Sequence, residues 1–191
     1  MSDPTDAIAH SLEPFRSYLN LLARLHLDPR LRGKVDLSGV VQQSLWEASQ
    51  VLARRGSEGQ PAAPLLRRLL ANNLADEVRK CYADKRDAAR DQSLEAALQE
   101  SSARLEAFLA AEDSSPSRRA ERTEDLARLA AALEALPEAQ RRAVELHYLQ
   151  GRPLADVARE LGRTKAAIAG LLHRGLDALK STLIPNPRGD P

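Results

Sequence analysis

Several residue types on which protein chemistry often depends are scarce in this chain of 191 residues. Its single cysteine, Cys81, excludes an intramolecular disulfide and fits a reducing compartment. The four histidines show no metal-ligand spacing with Cys81 or with each other, and the sequence has no glycine-rich phosphate loop. The sequence therefore predicts no metal site, no cofactor and no enzymatic activity.

Aromatic residues and long apolar runs are scarce as well. Phe, Trp and Tyr make up 3% of the chain, whereas Ala and Leu abound, which favours helices over sheets. No apolar run is long enough to span a bilayer, and the charged, proline-containing N-terminus does not resemble a signal peptide. We expect an all-α protein of the cytoplasm that is not inserted in a membrane.

The net charge of +1 conceals an uneven distribution of charge along the chain. Residues 1–90 and residues 136–183 each carry a net charge of +3, whereas residues 91–135 between them carry −5. Neither basic block is basic enough to bind DNA tightly alone, because affinity follows the number of phosphates that are neutralised. The pattern predicts two small helical domains joined by an acidic connector.

The stretch 136–180 has the spacing of a helix-turn-helix. Pro137 suits the first turn of a helix, and Gly151 suits a left-handed C-cap at its end. Gly162 separates a short second helix from a long third one, for which Thr164 is a suitable cap. Two helices joined by a short glycine-containing turn predict a helix-turn-helix at the C-terminal end of the fold.

The third helix of this stretch has one apolar face and one face of small and basic residues. Ile168, Leu172 and Leu179 fall within one narrow arc, which must pack on the preceding helices. The opposite arc combines small side chains with Arg163 and Arg174, so this helix could lie deep in a major groove and grip phosphates or guanines. This arrangement predicts a helix that reads DNA. The alternative is an ordinary three-helix bundle with a solvated face.

The N-terminal block predicts three further helices. The first begins at Ser11, which caps it, after a frayed segment of residues 1–10. The second spans about 36–55 and the third about 62–87, with a loop at 56–61 between them. Leucines line one side of the third helix, and Arg67 and Arg68 lie on its other, polar side.

The acidic connector is predicted to be partly helical. Leucines at helical spacing indicate an amphipathic helix in its first part, and Asp113-Ser114-Ser115-Pro116-Ser117 is the expected flexible point. We expect the following division of the chain: a first domain at 1–90, a linker at 91–122, a second domain at 123–185 and a tail at 186–191.

Both basic blocks carry motifs of one known family. Leu136-Pro137, Gln140-Arg141 and His173-Arg174 match the C-terminal pattern, while Asp36–Gln43 and Arg67–Asp76 match the N-terminal one. The chain thus resembles a sigma factor of the extracytoplasmic-function (ECF) type, a bacterial RNA polymerase subunit. The resemblance covers nearly the whole chain and implies promoter binding, docking on core RNA polymerase and assistance in strand opening.

The resemblance also implies a role for three sets of residues. The set that would contact core RNA polymerase is Asp36, Val40, Val41, Gln42, Gln43 and Leu45. The set that would face the minus-ten promoter element, with the 56–61 loop near enough to reach a flipped base, is Asn72, Asn73, Asp76, Arg79 and Lys80. The set that would face the minus-thirty-five element is Arg163, Thr164, Lys165, Ala166, Ala169, Gly170, His173 and Arg174.

The chain departs from the family pattern at a few positions. Gly39 stands where the family commonly has an acidic residue, and Ala169 and Leu171 stand where basic residues are frequent. Fewer side chains can then read base edges, so groove shape and phosphate contacts would carry more of the recognition. Tyr82 is the sole aromatic residue near the third helix that could stack on an unpaired base.

Several alternatives stay open at this point. A helix-turn-helix regulator that binds DNA without being a polymerase subunit would share the C-terminal block, and a helical scaffold would bind neither polymerase nor DNA. The polar side of the third helix could be a solvated surface. The acidic linker is either a spacer or, as the resemblance implies, a segment that threads the polymerase channel. Whether an anti-sigma factor is a further partner also stays open.

Overall fold

The computed structural model describes residues 4–55, 62–82, 88–112 and 121–183 of the chain. The chain forms two compact units, Met1–Ala127 and Arg128–Pro191. The described residues include no β-strand, which confirms the predicted all-α fold, and none of their helices is long and apolar enough to cross a membrane. Three predicted features lie outside the described residues: the loop at 56–61, the break at 113–117 and the tail at 186–191.

The described helices follow one another with short connections. In chain order they are α1 (Pro4–Leu12), α2 (Arg16–His26), α3 (Leu37–Arg55), α4 (Ala62–Tyr82), α5 (Ala88–Glu112), α6 (Glu121–Ala135), α7 (Glu138–Val144), α8 (Leu154–Glu160) and α9 (Lys165–Leu183). Turns of 3-10 helix occupy Glu13–Phe15 and Pro29–Leu31, and a turn of π-helix, Glu145–Leu149, extends α7.

The N-terminal segment corrects one prediction. The sequence predicted a frayed segment up to residue 10 and a helix capped by Ser11, whereas α1 already begins at Pro4 and packs on α3. Ser11 lies near the end of α1, where its hydroxyl donates a hydrogen bond to the carbonyl oxygen of Ile8 (2.7 Å). Packing against another helix stabilises such a short helix more than its own sequence does, which is why local signals missed it.

The core of the first unit lies between α2, α3 and α4. Its apolar side chains come from the stripes that recur at helical spacing, as predicted for Leu19 and Leu22. The largest fully buried ones are Tyr18, Leu19, Leu21 and Leu22 of α2 and Leu66, Leu70 and Leu74 of α4.

Helix α5 extends the first unit beyond residue 90, because it packs on α2 and α4. Among the described side chains of α5, those of Leu98 and Leu105 are the large apolar groups that are completely buried. Ser101 and Ser102, between these two leucines, are also buried. The central part of the predicted linker is therefore a packed helix whose contact surface mixes apolar and polar groups.

Arg67 lies at the centre of this contact surface. One guanidinium nitrogen (Nη1) donates to the hydroxyls of Tyr18 (3.2 Å) and Ser102 (2.9 Å), and the other (Nη2) donates to Oε1 of Gln99 (3.0 Å). Tyr18 in turn donates to Ser102 (2.9 Å). The sequence placed Arg67 on the outer, polar side of its helix. That placement was wrong, because α5 covers the residue.

A second polar contact joins α5 to α2. The Nε2 atom of His26 lies 3.0 Å from the hydroxyl of Ser101. Burial lowers the pKa of His26 from its ordinary value of 6.5, and the nearby Glu100 carboxylate only partly opposes this shift. The folded protein therefore favours the neutral imidazole at this contact.

We predict that the stability of the first unit falls in mildly acidic solution through His26. Because the pKa of His26 is lower in the folded chain, its neutral form stabilises the fold above pH 6.5, and this contribution is lost as the pH falls below that value. Urea unfolding of the wild type and of His26→Gln between pH 7.5 and pH 5 measures the effect. The difference between the two proteins should change with pH below 6.5, and a constant difference would contradict the prediction.

Candidate nucleic-acid and polymerase interfaces

The helix-turn-helix of the second unit begins with α7 and its π-helical extension. The extension closes with hydrogen bonds from the Gln150 N–H to the Glu145 carbonyl oxygen and from the Arg152 N–H to the Leu146 carbonyl oxygen, both 3.0 Å. Gly151 follows with φ 66°, as expected of a left-handed C-cap residue. The predicted end of this helix is confirmed.

The second turn of the motif lies between α8 and α9. Gly162 has φ 61°, so a side chain there would be strained. The Thr164 hydroxyl oxygen accepts a hydrogen bond from the Ala167 N–H (3.1 Å) and thereby caps α9. The predicted turn and cap are both confirmed, and together they fix where α9 begins.

Close packing of α9 on α7 sets the position of the recognition helix. A Cβ atom at the buried Gly175 would lie 3.1 Å from Cγ2 of Val144, a tight contact that would require Val144 to shift by a few tenths of an ångström. Sequence reasoning missed Gly175, because a glycine within a helix gives no local sign that it faces another helix.

Ion pairs join α8 to α7 and to the turn between them. Arg142 of α7 donates to Oε1 of Glu160 (3.3 Å), and Arg152 pairs with the other carboxylate oxygen of the same residue. All three side chains are partly exposed, so the pairs contribute only modestly to stability. Their effect is to orient α8 relative to α7.

The solvent face of α9 carries the residues predicted for the minus-thirty-five element. Gly170 is half-buried, and the other seven are exposed: Arg163, Thr164, Lys165, Ala166, Ala169, His173 and Arg174. Leu171 is buried, so it belongs to the core and does not occupy a base-reading position. Which bases or phosphates this face contacts stays a prediction.

Two charged or polar side chains lie further along this face, toward the C-terminus of α9. The Arg174 guanidinium lies back over Gly170, 3.4 Å from where a Cβ of residue 170 would be. Nε2 of His173 lies 3.3 Å from a carboxylate oxygen of Asp177, and both side chains are largely exposed. A Cβ at position 170 would therefore be in ordinary van der Waals contact with the Arg174 guanidinium.

Helix α3 requires a correction to the predicted polymerase-binding set. Val40, Val41 and Leu45 pack inside the first unit and are at most 6% exposed, so they cannot offer an apolar surface to a partner. The exposed residues in the middle of α3 are Gln42, Gln43 and Trp46. The apolar stripe of α3 packs into the core of the first unit. Its spacing alone did not reveal whether the core or a partner covers it.

Trp46 is the functional candidate that sequence reasoning missed. It is 56% exposed, although tryptophan is usually highly buried. Next to it, the Gln43 amide donates to Glu47 (2.8 Å), and Gln42 accepts a hydrogen bond from Arg16 (2.9 Å). An exposed tryptophan beside side-chain amides that hydrogen bonds keep in place is typical of a protein–protein contact surface.

Asp36 and Gly39 form the start of α3. The Asp36 carboxylate accepts a hydrogen bond from the Gly39 N–H (3.0 Å) and so caps the helix. A Cβ at position 39 would lie 2.5 Å from the other oxygen of the same carboxylate. The glycine that departs from the family pattern is therefore compatible with this cap, whereas a larger residue would displace it.

Among the residues of α4 predicted for the minus-ten element, Asn72, Asp76 and Lys80 are exposed. The Asn73 amide donates to the Ser44 hydroxyl and to the Glu47 carboxylate, both 3.1 Å, and thus joins α4 to α3. Arg79 pairs with Asp76 on its own helix. Asn73 therefore has a structural partner at both hydrogens of its amide, which the sequence did not indicate.

A cleft of about 700 Å³ between α3 and α4 brings several of these groups together. It is lined by Gly39 and Gln43 of α3 and by Asn73, Arg79 and Lys80 of α4, among others. The predicted 56–61 loop, which the sequence placed within reach of a flipped base, lies outside the described residues.

The described residues contain no group of three or more His, Cys, Asp or Glu side chains that could hold a metal ion. Cys81 is half-buried, with its sulfur 3.7 Å from the Lys34 carbonyl oxygen.

Comparison with known families gives a match for the second unit. Residues 126–179 match the family model described as Sigma-70, region 4, which spans most of α6, all of α7 and α8, and α9 as far as Leu179. A comparison with curated proteins gave no match. The matched segment contains the whole helix-turn-helix and its exposed α9 face, so this part of the chain is similar to sigma-70 region 4.

Proposed function

We propose that this chain is an alternative sigma factor of the ECF type. It binds core RNA polymerase, directs it to specific promoters and assists strand opening, while catalysis belongs to the polymerase. The observation that carries the proposal is the match of the helix-turn-helix to sigma-70 region 4, together with the exposed small and basic face of α9. Such a factor works in the cytoplasm, where the polymerase meets the genome.

The second unit is suited to the minus-thirty-five element. Arg163 just before α9, together with Lys165 and Arg174 on its exposed face, supplies three cations, and small residues between them allow the helix to approach the floor of the groove. Three cations alone give modest, salt-sensitive affinity. The second unit would therefore act as a specificity element within a larger complex.

The first unit is proposed to dock on the polymerase through the exposed face of α3. Gln42, Gln43 and Trp46 lie on this face, and the capping residue Asp36 lies at its N-terminal end. A tryptophan can supply a large contact area at low cost in side-chain entropy, and the amides can satisfy polar groups around it. This set replaces the buried valines and leucine as the proposed contact.

The minus-ten element is proposed to meet the exposed side of α4. Asn72 and Lys80 can reach phosphates or base edges, and Asp76 can accept from base-edge donors, without breaking contacts within the core. Asn73 could read a base only by leaving Ser44 and Glu47, so it is proposed to hold α4 in register with α3. Arg79 would contribute by giving up its ion pair with Asp76 and binding a phosphate of the DNA instead.

Binding to core polymerase tests the proposal directly. The full chain is mixed with purified bacterial core RNA polymerase, and the mixture is separated by size-exclusion chromatography and used for transcription. Co-elution and new transcription starts are expected, and a genome-wide map of starts after overexpression would give the promoter sequence. Binding to duplex DNA without binding to polymerase would instead favour the helix-turn-helix regulator.

A further inference from the structure

Arg67 is a buried cation that helix α5 covers, and the contacts between them are polar. Its side chain is 8% exposed, and among the described residues its buried Nε atom has no hydrogen-bond partner. The nearest carboxylate is that of Glu106 on α5, 3.9 Å away and half-exposed. A buried guanidinium with one distant anion is incompletely compensated and would gain from a closer one.

Helix α5 supplies most of what surrounds this guanidinium. Gln99 and Ser102 accept its hydrogen bonds, and Ser102 also donates to Glu106 (3.2 Å). Without α5, Arg67 would keep only its hydrogen bond to Tyr18 and would lie in the open beside the exposed Arg68. Separation of α5 would therefore add a second cation to this part of the first unit.

The contact surface of α5 is suited to reversible separation. Tyr18, Arg67 and Ser102 at its centre, and the His26–Ser101 contact, are polar groups that water can satisfy once the helices part. In the described part of α5, the only large apolar side chains that are buried are those of Leu98 and Leu105. An all-apolar seam of the same length would hold far more strongly, since the hydrophobic effect scales with apolar area.

We propose that Arg67 is a concealed phosphate-binding residue and that α5 is the latch that covers it in the free protein. A nucleic-acid phosphate takes the place of Glu106 on the guanidinium, and α5 leaves the first unit. This latch rests on the proposed function, because promoter DNA is the polyanion that would displace it. Since the coupling is reciprocal, DNA weakens the docking of α5, and weaker docking of α5 strengthens DNA binding.

A matched pair of variants in the full chain tests the latch. Glu106→Gln and Glu95→Gln each remove one negative charge from α5, but Glu95 is exposed and lies about three turns before Glu106 on the same helix. Affinity for a 20-nucleotide single strand of mixed sequence is measured against salt concentration. Glu106→Gln should bind at least threefold more tightly than Glu95→Gln, with a salt slope larger by up to about 0.7, the value for one further phosphate contact on a single strand. Equal affinities and slopes for the two variants would overturn the proposal.

Hydrogen exchange of the wild type provides a second readout that needs no substitution. Adding the same oligonucleotide should speed amide exchange in residues 94–109 of α5 and leave α3 unchanged, whereas sodium sulfate of equal ionic strength should not. Unchanged or stronger protection of α5 with DNA would overturn the latch. Binding to core polymerase, measured separately and without DNA, distinguishes this outcome from a failure of the proposed function.

Discussion

Val41→Asp is expected to unfold the first unit, whereas Trp46→Asp is expected to leave it folded and unable to bind core polymerase. The two positions lie five residues apart on α3, and the same charged side chain is introduced at both. Val41 is fully buried, so an aspartate there has no partner and no water. An uncompensated buried charge costs several kcal/mol, roughly 3 to 5, a large part of a total stability of about 5–15 kcal/mol.

Trp46, by contrast, is 56% exposed, so its replacement should change stability by about 1 kcal/mol or less. If the exposed face of α3 is the docking surface, loss of a central tryptophan should cost about 2 kcal/mol or more, which corresponds to a roughly 30-fold weaker complex. Circular dichroism melting and polymerase pull-down measure the two effects. A folded Val41→Asp protein would contradict the assigned core, and a Trp46→Asp protein that binds normally would exclude this face as the docking surface.

Lys165→Glu is expected to weaken promoter binding by the holoenzyme more than tenfold while slightly stabilising the second unit. Lys165 is exposed in the first turn of α9, where it is proposed to contact a phosphate. Each lost phosphate contact lowers the salt slope by about 0.9, and the new carboxylate adds repulsion. At the N-terminus of a helix, however, a negative charge is favourable by roughly 0.3–1 kcal/mol.

Lys180→Glu provides the matched control, because Lys180 is an exposed lysine in the last turn of the same helix. It lies roughly 22 Å along the helix from Lys165 at about 1.5 Å per residue. The same charge change there should leave promoter binding nearly unchanged and reduce stability slightly, since a carboxylate is unfavourable at a helix C-terminus. Equal losses of promoter binding in both variants would show that net charge, and not the recognition face, decides the affinity.

The helix-turn-helix shows where local sequence is sufficient. Gly151 and Gly162 adopt the positive φ angles expected at the predicted turns, and Thr164 forms the predicted cap. These features depend on residues within a few positions of each other, and they give the direction and the exposed face of α9. The sequence could therefore indicate a DNA-reading helix before any tertiary contact was known.

The first unit shows where local sequence is insufficient. The spacing of Val40, Val41 and Leu45 indicates one apolar face of α3, but not whether this protein's core or a partner covers it. Asn73 looks like one more polar residue of α4, yet it holds α3 through Ser44 and Glu47, more than 25 residues earlier in the chain. The periodicity of a sequence predicts which residues share a helix face, whereas tertiary packing decides what covers that face.

The sequence by itself determined the helical class, the ends of α3 and the helix-turn-helix, because capping, turn formation and amphipathic spacing are properties of neighbouring residues. The tertiary structure alone decided that Trp46 is exposed, that Val41 is buried and that Arg67 lies beneath α5. Arg67 is separated by 35 residues from Ser102 and by 49 from Tyr18, the two hydroxyls to which it donates. Contacts over such separations depend on how whole helices pack, so no local pattern in the sequence specifies them.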